Sequence, residues 1–245
     1  MIELKNIYKY YNPGTVNEMC LFEDFNLNIK KGEFVSVIGS NGSGKTSMLN
    51  LICGSIPLDK GDIIIEGKSI AKLPEYIRNR RIGRVYQNPS LGTCPEMTIL
   101  ENLSLADNKG KKFGLSFGIN KTRINHYKEI LFGLGLGLEE KLNTKVKSLS
   151  GGQRQALTLL MSTLTPIEFL ILDEHTAALD PKTADLIMEL TDKVVKEKKL
   201  TAIMVTHNLR YAVEYGNRLL MMHQGKAVID KAEEEKTKIT VDDIL

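Results

Sequence analysis

The sequence predicts an α/β fold built on parallel strands, and three stretches carry that prediction. The apolar run Phe34-Val35-Ser36-Val37-Ile38 ends abruptly in glycines, and helical spacing over 46–53 then stops at Gly54, a helix-stop signal. Two further runs, Phe169 to Leu172 and Leu200 to Val205, are unbroken in their hydrophobicity, as strands buried on both faces must be. Between them, Asp180 is placed to cap a helix with Pro181 as its first residue, and Ala184, Ile187, Leu190 and Val194 line one face of it. Strands alternating with helices argue for a parallel sheet.

The remaining elements follow in order. Residues Ile2 to Ile7 and Phe25 to Ile29 alternate as strands do, 61–67 reads as a hairpin strand, and 82–86 reads as a short strand leading into the polar Gln87-Asn88-Pro89. From Met97 to about Leu142 the pattern is helical and punctuated by glycine, with 109–114 (K-G-K-K-F-G) expected as an exposed loop. The span 90–150 therefore reads as an inserted helical subdomain. No internal repeat is visible.

Composition narrows the classes of function. A formal charge of +3 is the difference between 33 basic and 30 acidic side chains, without the basic stripe of a nucleic-acid binder, so no nucleic-acid partner is expected. Cys20, Cys53 and Cys94 are odd in number and widely spaced, which fits neither a disulfide framework nor a zinc site and points to a reducing, cytoplasmic setting. The first residues mix charges where a signal peptide would be apolar, and no run of 18 apolar residues occurs. The chain is not expected to cross a membrane by itself.

Gly39-Ser40-Asn41-Gly42-Ser43-Gly44-Lys45-Thr46 fits G-x-x-x-x-G-K-[ST] between a predicted strand and a predicted helix, the context that gives the pattern meaning. Glycines let backbone amides curl around a phosphate. The helix N-terminus adds partial positive charge, Lys45 a full one on the β- and γ-phosphates, and the Thr46 hydroxyl can ligate Mg²⁺. This is a triphosphate cradle. Phe169 to Leu172 ends in Asp173-Glu174, which puts two carboxylates at the carboxyl edge of a parallel sheet, where ligands bind. Asp173 is expected to hold Mg²⁺ and Glu174 to polarise an attacking water as general base. An isolated Asp-Glu pair would read instead as two solvated acids capping the next helix.

Leu149-Ser150-Gly151-Gly152-Gln153 is the most specific signal, since a five-residue match of this composition arises by chance in fewer than about one in a thousand chains of this size. These residues resemble the ABC ATPase family, whose signature reads L-S-G-G-Q, and the order phosphate loop, Gln87, signature, Asp173-Glu174, Asp180, His207 matches the family's along essentially the whole chain. The resemblance implies a P-loop NTPase core with a mixed sheet, an antiparallel β subdomain on the N-terminal side and an inserted α-helical subdomain. A single cassette then spans 1–245, with 1–89 and 155–245 forming the core plus β subdomain and 90–154 the helical part ending in the signature.

The resemblance also assigns roles. ATP is expected on Tyr11, Gly39, Ser40, Asn41, Gly42, Ser43, Gly44, Lys45, Thr46 and Ser47, with Tyr11 stacking on adenine and the adjoining Tyr10 as the alternative. Ser150, Gly151, Gly152 and Gln153 are presented to the ATP of a partner subunit, and Asp180 belongs to a loop that crosses between the two copies. Gln87 touches Mg²⁺ and relays nucleotide state to a permease docked near 88–105. His207 contacts the γ-phosphate and Glu174. The catalytic set implied is Glu174, His207, Gln87 and Lys45, the metal set Thr46, Gln87 and Asp173, and the cofactors ATP and Mg²⁺. His126 and His223 read as ordinary surface residues.

Two departures from the family pattern stand out. His175 replaces the common proline of D-E-P-T and is expected to leave the turn after Glu174 less rigid, and the helix after the signature lacks the common arginine-alanine pattern. The function implied is a peripheral ATP-hydrolysing subunit on the cytoplasmic face of the membrane, working as a dimer beneath a separate permease. A short unfused cassette, the run Glu96 to Leu103 and the basic Lys109 to Lys112 resemble bacterial import systems served by an extracytoplasmic binding protein, with amino acids as the cargo class the resemblance suggests. An export subunit is the alternative. A non-transport relative acting on DNA or ribosomes is disfavoured by the lack of a coiled-coil insertion or second cassette.

Overall fold

A computed structural model describes residues 1–111, 118–119 and 121–244. The chain opens with β1 (Ile2–Tyr11) and β2 (Met19–Ile29), an antiparallel pair. After β3 (Phe34–Gly39) comes α1 (Lys45–Cys53), closed by Gly54 at φ 84°, whose amide bonds the carbonyls of Asn50 and Leu51. Only a residue at ease in the left-handed region ends a helix this way. Next, β4 (Lys60–Ile65) pairs antiparallel with β1, and β5 (Lys68–Ser69) with β4, giving a four-stranded antiparallel sheet in the order β2-β1-β4-β5.

The short α2 (Glu75–Arg78) and β6 (Ile82–Val85) lead into the helical stretch. There α3 (Ile99–Asp107) starts in a capping box between Thr98 and Glu101, α4 (Ile124–Phe132) follows, and α5 (Gly151–Ser162) starts in a second box between Ser150 and Gln153. The remainder is β7 (Phe169–Asp173), α6 (Pro181–Glu197), β8 (Thr201–Val205), α7 (Leu209–Glu214), β9 (Arg218–His223), β10 (Lys226–Ala232) and α8 (Glu234–Thr237). A second sheet runs β10-β9-β3-β8-β7-β6, parallel except for the β9/β10 hairpin, so it is mixed.

Period-two alternation divides the core. Val35, Val37, Ile171, Ile203 and Val205 face α1 and the antiparallel sheet, while Leu170, Leu172, Ala202 and Met204 face the layer of α3 to α6. Tyr127, Leu131 and Leu103 of the helical stretch join that second cluster. The unbroken apolar runs read from the sequence are therefore strands with helix or sheet on both faces.

Two sequence expectations need correction, and one element was not expected at all. Lys109, expected in an exposed loop, is half-buried: its Nζ donates to the Ile82 carbonyl at 2.9 Å, and burial pushes the ammonium down to about 8. The charge finds a carbonyl at the start of β6. Residues 112–114 of that loop, including Lys112, lie outside the described residues. The turn after Glu174 is pinned, not loosened, because the His175 ring is buried and its Nε2 lies 3.1 Å from Thr191 Oγ1 on α6. Finally, the β9/β10 hairpin went unread.

Candidate nucleotide site

The phosphate loop sits where β3 leaves the sheet. Gly39, at φ 147°, passes so close to β9 that a Cβ there would stand 2.2 Å from the Met222 carbonyl oxygen. Gly44 is left-handed at φ 104° and a Cβ on it would press on the Phe22 ring at 2.9 Å. These two positions require glycine by space as well as by dihedral, and together they aim the start of α1 into an open cavity.

That cavity, of 320 Å³, is lined by Asn41, Gly42, Ser43, Gly44, Lys45, Thr46 and Ser47 of the loop, and by Glu174 and His207. Tyr11, Met19 and Leu21 line it too. Lys45 is only 5% exposed, yet its Nζ donates to the carbonyls of Gly39 (2.7 Å) and Ser40 (2.9 Å), and among the described residues no acid lies within ion-pair distance. Burial lowers its affinity for a proton and the nearby Glu174 charge works the other way. Ser43 Oγ is buried with no hydrogen-bond partner. A buried cation held by two carbonyls with no ion pair among the described residues, beside an unpartnered hydroxyl and the amides of a helix start, is a lining that fits a polyphosphate.

Glu174 follows the last residue of β7 with φ 48°, a conformation costly for a residue with a Cβ. It is held there by its amide, which donates to the Val205 carbonyl at 2.9 Å, and by Ala177, whose amide closes the turn on the Glu174 carbonyl at 3.0 Å. His207, just past β8, brings Nε2 to 2.7 Å from Glu174 Oε1. Asp173 instead turns toward β6, where Arg84 Nη2 donates to its Oδ2 at 2.9 Å.

The predicted residues do not all converge. Gln87 is exposed and lines a separate cleft of 380 Å³ with Asn88, Gly151, Arg154, Gln155, His175 and Leu179. Ser150 and Gln153 are engaged in their own cap: Ser150 Oγ accepts from the Gln153 amide and Gln153 Oε1 from the Ser150 amide, both at 3.2 Å. Asp180 caps α6 through Oδ1 and the Thr183 amide at 3.1 Å. None of these three lines the phosphate cavity. Gln155 Nε2 donates to the Tyr86 carbonyl at 3.0 Å, so the strand end before Gln87 is tied to the signature helix.

Of the two tyrosines, Tyr11 lines the cavity, its hydroxyl 3.0 Å from Ser47 Oγ, whereas Tyr10 does not line it. Sequence reading missed Met19 and Leu21, the apolar partners of Tyr11, because a strand start carries no motif. It also missed Arg84. For Mg²⁺, the donors available are the Thr46 hydroxyl, the Asp173 carboxylate and the Gln87 amide oxygen, all hard oxygens, and among the described residues no cluster of three His, Cys, Asp or Glu could hold a metal alone. That set suits a cation carried in largely by phosphate oxygens, which is how Mg²⁺ is held.

A phosphate loop after a central parallel strand, with Glu174 across the cavity from it and Asp173 at the end of a second strand, defines a P-loop nucleoside triphosphatase. Residues 22–177 match the family model described as ABC transporter. The chain is 48% identical over 245 residues to a tyrosine transport ATP-binding protein of Clostridioides difficile (strain R20291), covering 100% of this chain and 97% of that one. It is 31% identical over 250 residues to a phosphonates import ATP-binding protein of Lactobacillus delbrueckii subsp. bulgaricus, covering 100% and 94%. Among solved structures, the dimeric post-hydrolysis state of the ATP-binding cassette MJ0796 bound to ADP and Pi superposes with a TM-score of 0.80 at 32% identity, covering 95% of this chain and 98% of that one. The chain belongs to the ABC transporter family as an ATP-binding, ATP-hydrolysing subunit. Among the described residues no helix is long and apolar enough to cross a membrane.

Proposed function

We propose that this subunit energises solute import, with an amino acid as the cargo class, by closing on a second copy of itself beneath a separate permease. One observation carries the dimer: the signature helix start, Ser150 to Gln153, lies outside the chain's own phosphate cavity although the amides of Gly151 and Gly152, unlike those of Ser150 and Gln153, are not taken up by the cap. Such an N-terminus completes a nucleotide site only on another copy. The dimeric MJ0796 cassette supports that arrangement, and the names of the import and tyrosine-transport relatives support direction and cargo class.

In this reading the glycine loop and Lys45 bind the β- and γ-phosphates, Tyr11 stacks on the base, and Ser150 with the amides of Gly151 and Gly152 closes over the γ-phosphate from the partner. Glu174 accepts the proton of the attacking water, and His207, bonded to Glu174, holds that carboxylate in place and reaches the γ-phosphate. Thr46, Asp173 and Gln87 would hold Mg²⁺, whose chemistry is to neutralise charge on the transferred phosphoryl group. Asp180 crosses between copies, residues 90–154 form the helical subdomain that meets the permease, and an extracytoplasmic binding protein delivers the solute.

The test is the Glu174→Gln variant, assayed with ATP by size-exclusion chromatography and by phosphate release. Phosphate release is expected to fall at least about a hundredfold while a dimer accumulates with ATP and disperses with ADP. A variant that stays monomeric with ATP even in the assembled membrane complex would overturn the sandwich. Cargo is read by reconstituting the complete transporter and asking whether tyrosine or another amino acid stimulates its ATPase.

A further inference from the structure

Arg84 is an unexpected neighbour for the acid at the end of β7. It lies next to last in β6 with its side chain 11% exposed, and the carboxylate it meets is 13% exposed. Its Nη2 donates both to Asp173 Oδ2 and to Asn50 Oδ1, each at 2.9 Å. The guanidinium carbon stands 4.6 Å from the centre of the Tyr86 ring, a third contact on the group. The Cys53 thiol beside it is pushed up to about 11 by burial, so it stays neutral and Asp173 is the acid that balances Arg84. Asn50 is one helical turn beyond Thr46 on α1, so Arg84 braces the carboxylate against the helix that carries the hydroxyl ligand.

We propose that Arg84 is a positioning residue for the divalent cation: by occupying Asp173 Oδ2 it fixes the carboxylate and leaves Oδ1, which takes no hydrogen bond among the described residues, as the oxygen offered to the hydrated metal. This rests on Asp173 being a cation ligand. Two effects of Arg84 oppose each other. Its charge repels the cation, but partners that orient a metal-binding carboxylate are typically worth about 10- to 100-fold in metal affinity, and without Arg84 a nearly buried carboxylate would lose the one ionic partner it has among the described residues. Orientation wins because the Arg84 charge is already paired with Asp173, so the net repulsion it adds is small beside the loss of a fixed carboxylate.

The probe is a non-hydrolysable ATP analogue titrated calorimetrically into the full chain with Mg²⁺ and again with EDTA, the ratio of the two affinities reporting the metal. Arg84→Met is expected to leave the EDTA affinity within about twofold and to lower the ratio about tenfold, with Arg84→Lys recovering part of it. An unchanged or raised ratio in Arg84→Met overturns the inference. Should that variant fail to fold, Asn50→Ala decides, since it removes the second anchor of Arg84 without touching Asp173: a fall of about threefold in the ratio sustains the proposal, and no fall overturns it. Asp173→Asn separates the two layers. If it leaves the ratio intact, the assignment of Asp173 fails, and if it abolishes the ratio while Arg84→Met does not lower it, only the role of Arg84 fails.

Discussion

His207 Nε2 stands 2.7 Å from Glu174 Oε1, and the two side chains come from the ends of adjacent parallel strands, β8 and β7. The bond fixes which way the carboxylate faces while the histidine, with 47% of its side chain exposed, remains open to the cavity. Replacing His207 by Ala should therefore lower turnover by about a hundredfold with little change in ATP affinity. Because the pair acts as a unit, the double variant Glu174→Gln with His207→Ala should be no slower than Glu174→Gln alone. Phosphate-release kinetics on the three variants check this, and additive losses would show two independent roles.

His175 makes the fold sensitive to acid. Burial pushes its imidazole down to about 4, against an unfolded value near 6.5, so the folded chain holds it neutral while the unfolded chain takes up a proton. The unfolded state binds more protons below 6.5, and stability is lost as pH falls from there to 4, by roughly 3 kcal/mol in all. His175→Gln keeps a group able to bond Thr191 and removes the titration. Denaturant unfolding between pH 7 and 4.5 should show a markedly shallower pH slope in that variant than in the parent, and equal slopes would contradict the buried neutral ring.

Much of this architecture was legible in the chain because its signals are local. Strand, glycine loop and helix follow one another within 34–53, and the Asp180 cap with Pro181 stands as read. What escaped were residues whose partners are distant in sequence. Arg84 meets Asp173 across 89 positions and Asn50 across 34, and no spacing rule connects them. His175 looked like a missing proline because rigidity was judged from the backbone alone, whereas the turn is held by a side chain reaching α6. The β9/β10 hairpin was hidden by an outer strand whose exposed faces carry little hydrophobic pattern.

Gly152 has a requirement that its motif alone does not explain. A Cβ on it would stand 2.3 Å from Thr183 Cγ2, in the first turn of α6. Gly152→Ala should therefore push the signature helix off α6 and cost about 1–3 kcal/mol through overpacking. Thr183→Ser removes the obstructing methyl, so the Gly152→Ala, Thr183→Ser double variant should regain most of that loss. Chemical denaturation of the four members of the cycle measures the coupling, and simple additivity would mean that the two helices do not meet as described.

Tyr11 rather than Tyr10 should carry the base. Tyr11 lines the cavity with Met19 and Leu21, and its hydroxyl is 3.0 Å from Ser47 Oγ at the root of the phosphate loop, while Lys9 Nζ stands 5.6 Å from its ring centre. Stacking of a base on an aromatic ring is worth about 1–3 kcal/mol, and the ring supplies it without the hydroxyl. Tyr11→Ala is thus expected to weaken ATP binding by about 5- to 150-fold, Tyr11→Phe to stay within about twofold, and Tyr10→Ala to leave affinity unchanged. Titration with a fluorescent ATP analogue compares the three. If Tyr11→Phe lost as much as Tyr11→Ala, the hydroxyl bond to Ser47 would be organising the loop and the stacking role would be wrong.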